Sequence, residues 1–468
     1  MGASIVWLRD DLRLSDNPAL TAAAERGEPI VLLFVLDDGS HGIRAHGGAS
    51  RWWLHHSLDS LADAAASAGG VLTLRSGDVE TVLPQIIAEV GAGAVFWNRR
   101  YGGGGREIDT RLKQAAKDDG LDVRSFQANL LFEPWTLKTG SGEPYRVFTP
   151  FWRAAREVAV RDPLPTPRGL TWAAAHSEQL AGWELLPTKP DWAEGLHEMW
   201  HPGEQGAHDR LEHFVEHGLA QYHRRDEPAV EATSRLSPHL RFGEISPFQV
   251  WHRLHGQMSA GAHKNAEKYL SELVWREFNH SILFAHPDLA DHNYRPTFDA
   301  FPWAWSEVDE SNADADDVLP KIEAWKAGRT GIPLVDAGMR ELWHTGYMHN
   351  RVRMVTASFL IKNLLVDWRI GEQWFWDCLV DADEANNPGN WQWTAGTGAD
   401  AAPYFRVFNP VLQAAKFDPD GTYVRRWVPE LGTPEYPEPI VDLGQTRREA
   451  LAAFEQVKAR SQAARPLS

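Results

Sequence analysis

The first 130 residues alternate between apolar runs of strand length and stretches with helical character, and this alternation limits the possible folds more than any other feature. The apolar runs lie at residues 5–8, 30–36, 71–74, 94–97 and 123–126. The helical stretches between them lie at residues 18–26, 50–68, 79–90 and 106–119. Strands that are apolar throughout are buried on both faces, so helices must cover both sides of the sheet. The alternation therefore predicts an α/β domain with a doubly wound parallel sheet.

The remainder of the chain changes character twice. Residues 131–205 contain nine prolines and little periodicity, which is typical of a connector that wraps the surface. Helical patterns then dominate, at residues 207–219, 247–258, 266–284, 318–327, 333–343, 351–368, 372–381 and 447–459. We therefore expect an α/β domain over residues 1–130, an interdomain connector over 131–205 and an all-α domain over 206–468.

The composition is that of a globular protein. Of the 468 residues, 43% are hydrophobic and 24% are charged, and no run of 18 apolar residues could span a membrane. Asp10 and Asp11 interrupt the N-terminal apolar run too early for a signal peptide. A single cysteine, Cys378, excludes a disulfide framework and a cysteine-based metal site. We expect a cytoplasmic monomer with no metal ion and no membrane association.

The net charge and the tryptophan content are less ordinary. A net charge of −17 argues against attraction of a polyanion over the whole surface, although a local basic groove is compatible with it. The 22 tryptophans exceed what a core of this size requires, and many follow residue 270 beside Arg, Asn or His. These tryptophans either pack in the core or stack on a planar ligand.

Hydroxyl groups cluster just before Pro238. The residues concerned are Tyr222, Thr233, Ser234, Arg235, Leu236 and Ser237. Backbone N–H groups and hydroxyls at such a turn can hold a phosphate or a pyrophosphate. The other interpretation is an ordinary helix cap with turn chemistry.

Four polar or aromatic side chains recur at helical spacing further along. Glu272, Trp275, Arg276 and Asn279 share one helix face at 100° per residue. A carboxylate, an indole, a guanidinium and an amide are costly to bury without partners. As a group they suit a flat ligand with polar edges, and the alternative is an exposed amphipathic face.

Two later segments combine charge with aromatic rings. Arg351 and Arg353 are two residues apart, so on a helix one can reach a phosphate while the other pairs with a buried acid. The run from Asp381 to Trp393 includes Asp383, an Asn-rich turn and two tryptophans, which suits a heteroaromatic ring better than Mg²⁺. The alternatives are a solvated basic helix and tryptophans that only pack in the core.

Taken together, these segments resemble the DNA photolyase/cryptochrome family. The matching motifs are Thr-Ser-Arg-Leu-Ser-Pro at 233–238, Trp-Arg-Glu-Phe at 275–278, Gly-Tyr-Met-His-Asn-Arg-Val-Arg-Met at 346–354, and Asn-Trp-Gln-Trp with Asp-Ala-Ala-Pro-Tyr-Phe-Arg at 390–406. The similarity extends from residue 6 to residue 410, nearly the whole chain. It implies an N-terminal α/β domain, a connector and a helical domain that holds FAD. The closest match within the family is a class I cyclobutane pyrimidine dimer photolyase.

The activity implied by the resemblance is that of a deoxyribodipyrimidine photo-lyase, a carbon–carbon lyase. Reduced FAD donates an electron to a pyrimidine dimer in damaged DNA under light, the cyclobutane ring opens, and the electron returns. The implied cofactor contacts are Tyr222, Thr233, Ser234, Arg235, Leu236, Ser237, Tyr269, Arg353, Asp381, Asp383 and Asn387. Asn387 corresponds to the position facing flavin N5, where cryptochromes often have Asp or Cys, so it favours repair over signalling.

The resemblance also implies a pocket for the flipped-out dimer. Its members are Glu272, Trp275, Arg276, Asn279, Asn350, Arg351, Met354 and Trp393, with Gln413 beside the flanking strand. The (6-4) photolyase branch typically has His near positions 350 and 354, so Asn350 and Met354 favour a cyclobutane dimer. Arg406 and Lys416 are further expected contacts to DNA phosphates.

Three tryptophans resemble the family's electron relay for photoreduction of FAD. Trp391 is expected nearest the flavin, followed by Trp368 and then by Trp303 or Trp305 at the surface. An apparent insertion within residues 306–320 leaves the choice between the last two open. These tryptophans, with Asn387 and Glu272, form the implied catalytic set.

A second pigment and two other functions remain open. The pigment would be methenyltetrahydrofolate or 8-hydroxy-deazaflavin, held near residues 98–107 or by Arg51, Trp52 and Trp53, or it is absent. The main alternative function is a blue-light receptor with the same fold and FAD, although the roughly 58 residues after Pro410 are fewer than a cryptochrome tail has. The lack of a GxGxxG motif disfavours a plain flavoprotein oxidoreductase.

Overall fold

The computed structural model describes residues 2–258, 263–306, 315–401 and 405–463. The backbone packs into two compact units, residues 1–220 with 233–287 and residues 221–232 with 288–468. The expected insertion at 306–320 lies mostly outside the described residues, and so do the motif residues Ala402, Pro403 and Tyr404.

The first unit is built on a five-stranded parallel sheet. The strands are β1 (Ser4–Leu8), β2 (Ile30–Leu36), β3 (Leu72–Ser76), β4 (Ala94–Asn98) and β5 (Asp122–Phe126), in the order β3-β2-β1-β4-β5. Val6 of β1 lies opposite Leu32 of β2 and Phe96 of β4. The predicted strands are therefore confirmed, because short apolar runs between helices leave a parallel sheet as the arrangement that buries both faces.

Helices connect successive strands of this sheet. They are Pro18–Arg26, Gly48–Ser67, Val79–Val90 and Gly103–Asp118. Asn17 begins the first helix by accepting a hydrogen bond from the Leu20 N–H, and Gly27 ends it in a left-handed conformation. Apolar side chains of the third and fourth helices pack with β1, β2, β4 and β5 in one buried cluster.

The proline-rich segment contains more structure than its sequence indicates. Phe148–Ala155 and Glu194–Met199 are short α-helices, and Leu180–Trp183 is one 3₁₀ turn. Between the first two elements the chain follows the sheet, since the Ile30 N–H donates to the Thr171 carbonyl and the Glu178 N–H donates to the Leu74 carbonyl. Residues 171–178 of the connector are thus attached to the sheet.

The rest of the chain is helical, as predicted. The α-helices are Glu204–His213, Ser237–Arg241, Pro247–Met258, His263–Ala285, Ala315–Lys326, Pro333–Thr345, Asn350–Ser358, Trp368–Cys378, Asn386–Ala395, Pro410–Phe417, Thr422–Trp427 and Leu443–Ala463. In the second unit they enclose a large apolar cluster that includes Trp325, Phe359, Trp368 and Trp391.

Two predicted helices were wrong in extent. The segment 207–219 was expected to be a single helix, but the α-helix ends at His213 and one π-helical turn, Phe214–Gly218, follows it. The segment 351–368 was expected to be a single helix, but the α-helix ends at Ser358 and one π-helical turn, Phe359–Asn363, follows it. Leu365 then adopts a left-handed backbone conformation with φ of 53°, and the Asp367 carboxylate caps a new helix beginning at Trp368. The apolar run across the break is buried on all sides, so its hydrophobic pattern does not reveal where the helix stops.

The boundaries of the two compact units differ from the three predicted parts. The first unit includes residues 233–287, because the His263–Ala285 helix packs on the Phe148–Ala155 helix of the connector. The two compact units are defined by which backbone segments contact each other, whereas the three predicted parts were defined by their expected functions. The division by role at residues 130 and 205 therefore stays a prediction.

Gly243 provides a test of how closely two segments of the first unit approach. Its φ is +64°, and a Cβ there would lie 2.0 Å from the Asp10 carbonyl oxygen. Gly27 has a similar φ of +74° with no atom within 4 Å. We expect Gly27→Ala to lower the free energy of unfolding by about 1–2 kcal/mol, from backbone strain alone. Gly243→Ala should lower it by more than about 3 kcal/mol because the clash adds to that strain.

Urea unfolding of both variants provides the comparison. Equal losses in the two variants would contradict the close approach of residues 10 and 243.

Candidate functional site

The predicted phosphate-binding turn of the first unit is organised around Ser234. The Ser234 hydroxyl accepts hydrogen bonds from the Tyr269 hydroxyl at 2.9 Å and from the Leu236 N–H at 3.3 Å. Arg210 donates to the Ser234 carbonyl at 2.8 Å. Arg235 has a positive φ of 53°, so the chain reverses sharply there. Two of the predicted cofactor residues, Ser234 and Tyr269, are therefore in direct contact.

The other residues of this turn differ in exposure. Thr233 is half-buried, Leu236 is buried, and Ser237 is exposed at the start of the Ser237–Arg241 helix. The turn thus presents the hydroxyls of Thr233 and Ser237 while the Leu236 side chain anchors it.

A buried network that the sequence did not indicate supports this turn. His239 Nδ1 lies 2.5 Å from Glu244 Oε2, and both side chains are almost fully buried. The other oxygen of Glu244 accepts from Trp53 Nε1 at 3.0 Å and from the Gly203 N–H at 2.7 Å. Every polar contact of the Glu244 carboxylate is therefore made within the protein, which rigidifies the short helix after Ser237.

The predicted helix face lies on the single helix His263–Ala285. Glu272 pairs with Lys268 at 2.5 Å on the accessible side. Trp275 stacks on Phe148 with ring centroids 3.8 Å apart and planes 10° apart, so Phe148 covers one of its faces. Asn279, one turn further, is buried. The helix thus holds the indole in a fixed orientation by stacking.

Arg276 is held within the first unit. Its guanidinium donates to the Asn129 carbonyl at 2.6 Å and lies 3.4 Å from Glu277. A direct contact of Arg276 with DNA stays a prediction, and the observed bonds indicate a role in joining the helix to residue 129.

Glu277 is an ionisable group that the sequence patterns did not single out. Burial raises the pKa of its carboxyl group to about 7, although Arg276 and the backbone N–H of Phe132 favour the charged form. The side chain is 2% exposed. The carboxyl group therefore changes its protonation near neutral pH.

In the second unit, Arg353 and Asp381 form the predicted ion pair. Two guanidinium nitrogens of Arg353 donate to the two carboxylate oxygens of Asp381 at 3.1 and 2.9 Å, and Nε donates to the Met348 carbonyl at 2.7 Å. Burial opposes the charged form of Arg353, but the facing Asp381 carboxylate raises the pKa of the guanidinium above its ordinary value. The pair joins the Asn350–Ser358 helix to the turn at residue 381.

The turn after Asp381 presents Asn387. Asp383 stabilises the turn by accepting from the backbone N–H groups of Ala385 at 2.8 Å and Asn386 at 2.5 Å. The Asn387 amide nitrogen donates to Glu372 Oε1 at 2.7 Å and to the Glu372 carbonyl at 3.0 Å. Both donors of this amide are thus used by one buried residue, and the Asn387 Oδ1 acceptor is left for another group.

The Asn350–Ser358 helix carries the other residues predicted to contact the dimer. Asn350 is exposed at its first position, and Met354 packs against the core cluster. Arg351 pairs with Asp226 at 2.9 Å and lies over the Phe417 ring at 4.5 Å from its centroid. Asp226 therefore competes with any phosphate for Arg351.

Trp391 is buried against the Trp368–Cys378 helix. Its ring contacts Phe375 at 4.9 Å and Trp325 at 6.3 Å between centroids. A Cβ on Gly371 would lie 2.1 Å from the Trp391 ring, so this glycine lets the indole touch the helix backbone. Trp368, the next predicted relay member, is fully buried on the same helix, three residues before Gly371.

The last relay position stays open between two half-buried tryptophans. Trp303 packs on Phe301 at 4.3 Å between centroids. The Trp305 carbonyl accepts from the Asp367 N–H at 2.9 Å, which ties it to the residue before Trp368. Trp368 itself donates from Nε1 to Asn293 at 2.9 Å.

Three further predicted residues lie at the margins of the second unit. Tyr222 is buried and lies under Arg225, whose guanidinium is 5.5 Å from the ring centroid. Trp393 is half-buried against the core cluster. Gln413 lies on the Pro410–Phe417 helix, and its buried Oε1 has no hydrogen-bond partner among the residues that the structure describes.

The two places considered for a second pigment in the first unit are mostly filled by the protein. Trp52 and Trp53 are 1% and 0% exposed and donate to His197 and Glu244, so they are packing residues and not a stacking surface. The four glycines at 102–105 begin the Gly103–Asp118 helix. Among the described residues, no group of three or more His, Cys, Asp and Glu is arranged to hold a metal ion.

The chain matches known families over most of its length. Residues 4–168 match the family described as DNA photolyase, and residues 269–435 match the FAD binding domain of DNA photolyase. The deoxyribodipyrimidine photo-lyase of Agrobacterium fabrum is 49% identical, with 97% of this chain and 98% of that protein covered. The chain belongs to the DNA photolyase/cryptochrome family.

Two further comparisons refine this placement within the DNA photolyase/cryptochrome family. The crystal structure of a bacterial class III photolyase from Agrobacterium tumefaciens superposes with a TM-score of 0.91 at 49% identity, covering 98% of both chains. Cryptochrome-1 of Arabidopsis thaliana is 37% identical over 99% of this chain and 72% of its own length. The similarity to a class III photolyase leaves the expected class I resemblance unconfirmed.

The side chains fit the FAD of the photolyase/cryptochrome family by their chemistry. The first unit offers the joined hydroxyls of Ser234 and Tyr269, which suit phosphate or ribityl oxygens. The second unit offers a compensated Arg353–Asp381 pair and the Asn387 Oδ1 acceptor, which suit the polar edge of a flavin ring. In the described part of the chain, no helix combines the length and apolar character needed to cross a bilayer.

Four residues of the site were missed by the sequence patterns. They are Glu244, Glu372, Asp226 and Phe148. Each acts by holding a residue that had been predicted, and each is distant from it in sequence or unremarkable in its own pattern. Glu372 is buried on the Trp368–Cys378 helix, which also contains Arg369, Gln373 and Asp377, so its pattern in the sequence names no partner.

Glu277 predicts how the stability of the protein depends on pH. Between the ordinary pKa of 4.5 and about 7, the folded protein keeps a proton that the unfolded chain has lost. The free energy of unfolding should therefore fall as pH rises, by about 1.4 kcal/mol per pH unit and about 3 kcal/mol in total. Glu277→Gln should remove this fall, as measured by urea unfolding at about pH 5 and about pH 8.

Glu272→Gln is the matched control on the same helix, because Glu272 is half-exposed and paired with Lys268. The free energy of unfolding of Glu272→Gln should depend on pH as that of the parent protein does. Parallel pH profiles for the parent and Glu277→Gln would contradict the raised pKa of Glu277.

Proposed function

We propose that the protein repairs cyclobutane pyrimidine dimers in DNA under blue light with FAD as its cofactor. The observation that carries the proposal is the arrangement of Asn387. Its amide donors are both engaged by Glu372, which leaves Oδ1 as an acceptor that a flavin could use. An acceptor at flavin N5 suits the N–H of the reduced ring and supplies no acidic proton, which favours repair over signalling.

FAD, when bound and reduced, supplies the electron that splits the dimer under light and takes the electron back. The protein side chains position the cofactor and set its electrostatic environment. The Arg353–Asp381 pair brings a positive charge to the flavin side with a partner already in place. Burial of one charge without the other would be unfavourable by about 3–5 kcal/mol. The pair therefore contributes a fixed dipole that needs no rearrangement during the reaction.

Each unit contains residues that we propose as contacts to a dimer, and each set is considered by itself. Trp275 is held by Phe148 and presents its remaining face and edge, while Glu272 offers a carboxylate one turn away. In the second unit, the exposed Asn350 amide can contact a carbonyl or N–H edge of a pyrimidine. A pyrimidine dimer pairs poorly while it is still in the duplex, which lowers the energy needed to flip it out.

The negative charge of the protein supports the proposal that damaged DNA is recognised by its lesion. A net charge of −17 repels undamaged duplex, and Arg351 is already paired with Asp226. Phosphate contacts by Arg351 would require exchange of this partner, so nonspecific binding should be weak. The flipped-out pyrimidine dimer then supplies most of the discrimination.

The alternative is a blue-light receptor with the same fold and FAD, which the similarity to a plant cryptochrome supports. The test is illumination of FAD-loaded, chemically reduced protein with an oligonucleotide that contains one cyclobutane dimer. Loss of the dimer in light and not in darkness is the expected result. An oligonucleotide with a (6-4) photoproduct should stay unrepaired. Photoreduction of FAD in the oxidised protein, together with no loss of the dimer in the chemically reduced protein, would favour the receptor.

Asn387→Asp should weaken repair while FAD stays bound. The new carboxylate would replace an amide nitrogen that lies 2.7 Å from the Glu372 carboxylate, so repulsion or protonation must change the site. Repair rates under blue light, normalised to FAD content, measure the effect. Equal rates in Asn387→Asp and the parent would count against the assignment of Asn387 to the flavin.

Trp391→Phe should block light-driven reduction of oxidised FAD and spare repair by chemically reduced protein. Electron transfer falls steeply with distance, so loss of the first relay member breaks the path. Gly371→Ala should slow the same step, because a Cβ 2.1 Å from the Trp391 ring must displace it. The measurement is FAD photoreduction with an external thiol donor. Trp376→Phe serves as the control, because Trp376 is a buried tryptophan on the Trp368–Cys378 helix, which also carries Gly371.

Unchanged photoreduction in Trp391→Phe would identify Trp391 as a packing residue. Trp303→Phe and Trp305→Phe, measured separately, identify the terminal member.

Trp275→Ala should weaken binding of damaged DNA selectively. It removes a stacking surface worth about 1–3 kcal/mol per base, which corresponds to roughly ten-fold to a hundred-fold in affinity. Trp275→Phe should keep most of the affinity because it retains an aromatic face. Titrations with damaged and undamaged duplexes at two salt concentrations measure the ratio of affinities.

Arg351→Ala is the comparison variant. It should weaken binding of the damaged and the undamaged duplex alike, and it should lower the salt dependence of the binding constant by about one phosphate contact. An unchanged ratio for Trp275→Ala with intact FAD would show that Trp275 lies outside the dimer pocket.

A further inference from the structure

The second unit buries a lysine that the proposed contacts to FAD and to the dimer do not use. Lys362 lies on the π-helical turn Phe359–Asn363 and is 1% exposed. In the described part of the chain no carboxylate forms an ion pair with it, and its partners are a backbone carbonyl and an aromatic ring. An ammonium group without a carboxylate partner is unfavourable to bury, so these two contacts indicate a specific role.

The contacts of this turn fix a neighbouring segment of backbone, residues 405–408. Lys362 Nζ donates a hydrogen bond to the Arg406 carbonyl and lies 4.3 Å from the centroid of the Phe405 ring. Ser358, four residues before Lys362, accepts a hydrogen bond from the Phe408 N–H at 3.1 Å through its hydroxyl. The segment is therefore held at two points of its backbone, one on each side of residue 407.

This segment carries Arg406, which the family resemblance predicts as a contact to a DNA phosphate. Arg406 is exposed, and its guanidinium lies 5.7 Å from the centroid of the buried Phe408 ring. The same Phe408 supplies the N–H that Ser358 accepts. The two anchored backbone groups thus limit where the exposed guanidinium can lie.

The charge of Arg406 also acts on Lys362. Burial, as the larger cause, and the positive charge of Arg406 lower the pKa of the Lys362 ammonium group to about 7. The turn also packs against Asn350–Ser358, Trp368–Cys378 and Leu443–Ala463, and none of the described charged side chains of these helices shifts the pKa of Lys362. A phosphate that neutralises Arg406 would remove the repulsion and raise the pKa of Lys362, so a proton would be taken up near neutral pH.

We propose that Lys362 is a positioning residue for DNA binding, which holds the backbone of residues 405–408 so that Arg406 meets a DNA phosphate. The inference rests on the proposed function, because it requires that Arg406 contacts DNA. Ser358 shares this role through the Phe408 N–H. Lys362 acts through the backbone and not by touching the phosphate, since its own side chain is buried against Phe405.

The first experiment is a double-mutant cycle on FAD-loaded protein, titrated with a duplex that contains one cyclobutane dimer and with the undamaged duplex. Arg406→Ala should weaken binding of both duplexes by about three-fold to ten-fold, and it should lower the salt dependence of the binding constant by about one phosphate contact. Lys362→Met removes the donor and should have a similar effect. The double variant should bind no more weakly than Arg406→Ala alone, because both changes remove the same contact. Lys362→Gln keeps a donor for the carbonyl and should keep most of the affinity.

The second experiment is calorimetry of DNA binding at about pH 7 in buffers with different ionisation enthalpies. The parent protein should take up a fraction of a proton more than Lys362→Gln does, and Arg406→Ala should lose the same fraction. Glu277 also titrates near this pH, and its contribution remains in both variants. A lysine that only stabilised the fold would give no such difference.

Lys458→Gln is the matched control. Lys458 also lies over a phenylalanine ring, 4.6 Å from the Phe454 centroid, but it is exposed and pairs with Glu455. Its DNA affinity and proton uptake should equal those of the parent. Additive losses in the double variant, equal proton uptake in the parent and Lys362→Gln, or full affinity in Arg406→Ala would each overturn the inference.

Ser358→Ala takes the place of Lys362→Met in the cycle if the latter does not fold, because it removes the second anchor by a smaller change. Loss of the dimer in light is measured on the same samples. Repair by the parent together with additive losses of affinity would contradict the positioning role alone. Non-additive losses without any repair by the parent would contradict the repair proposal alone.

Discussion

The ion pair between half-buried Arg353 and buried Asp381 organises this part of the second unit. Arg353 uses its three nitrogens on Asp381 and on the Met348 carbonyl, and it thereby joins the Asn350–Ser358 helix to the turn that precedes Asn386–Ala395. The first helix carries Asn350 and Arg351, and the turn leads to Asn387. A charge pair taken out of water requires such complete geometry, because either member alone would be strongly unfavourable.

Most residues that the family motifs identify are held by partners outside those motifs. Glu372 orients Asn387, Asp226 engages Arg351, and Phe148 covers one face of Trp275. The motifs therefore name the residues predicted to face a ligand, and other side chains restrict their positions. Rigid support of this kind is what electron transfer and base stacking need, since both depend on fixed distances and orientations.

The strands of the first unit could be predicted to within one or two residues. Their apolar runs are short, and the helices between them leave few alternatives. The helix expected at 351–368 was less predictable, because its apolar residues are buried on all sides and only Leu365 and Asp367 mark the break. Burial likewise turned Trp52 and Trp53 from pigment candidates into packing residues.

By itself, the sequence determined the α/β and helical parts and the resemblance to photolyases and cryptochromes, because both follow from local periodicity and from ordered motifs. The tertiary structure decided which charges are compensated and which aromatic faces stay open. Arg351 and Arg353 look alike in sequence, yet one pairs with Asp226 and the other with Asp381. Such pairings join residues far apart in the chain, and their strength depends on burial, which only the folded packing sets.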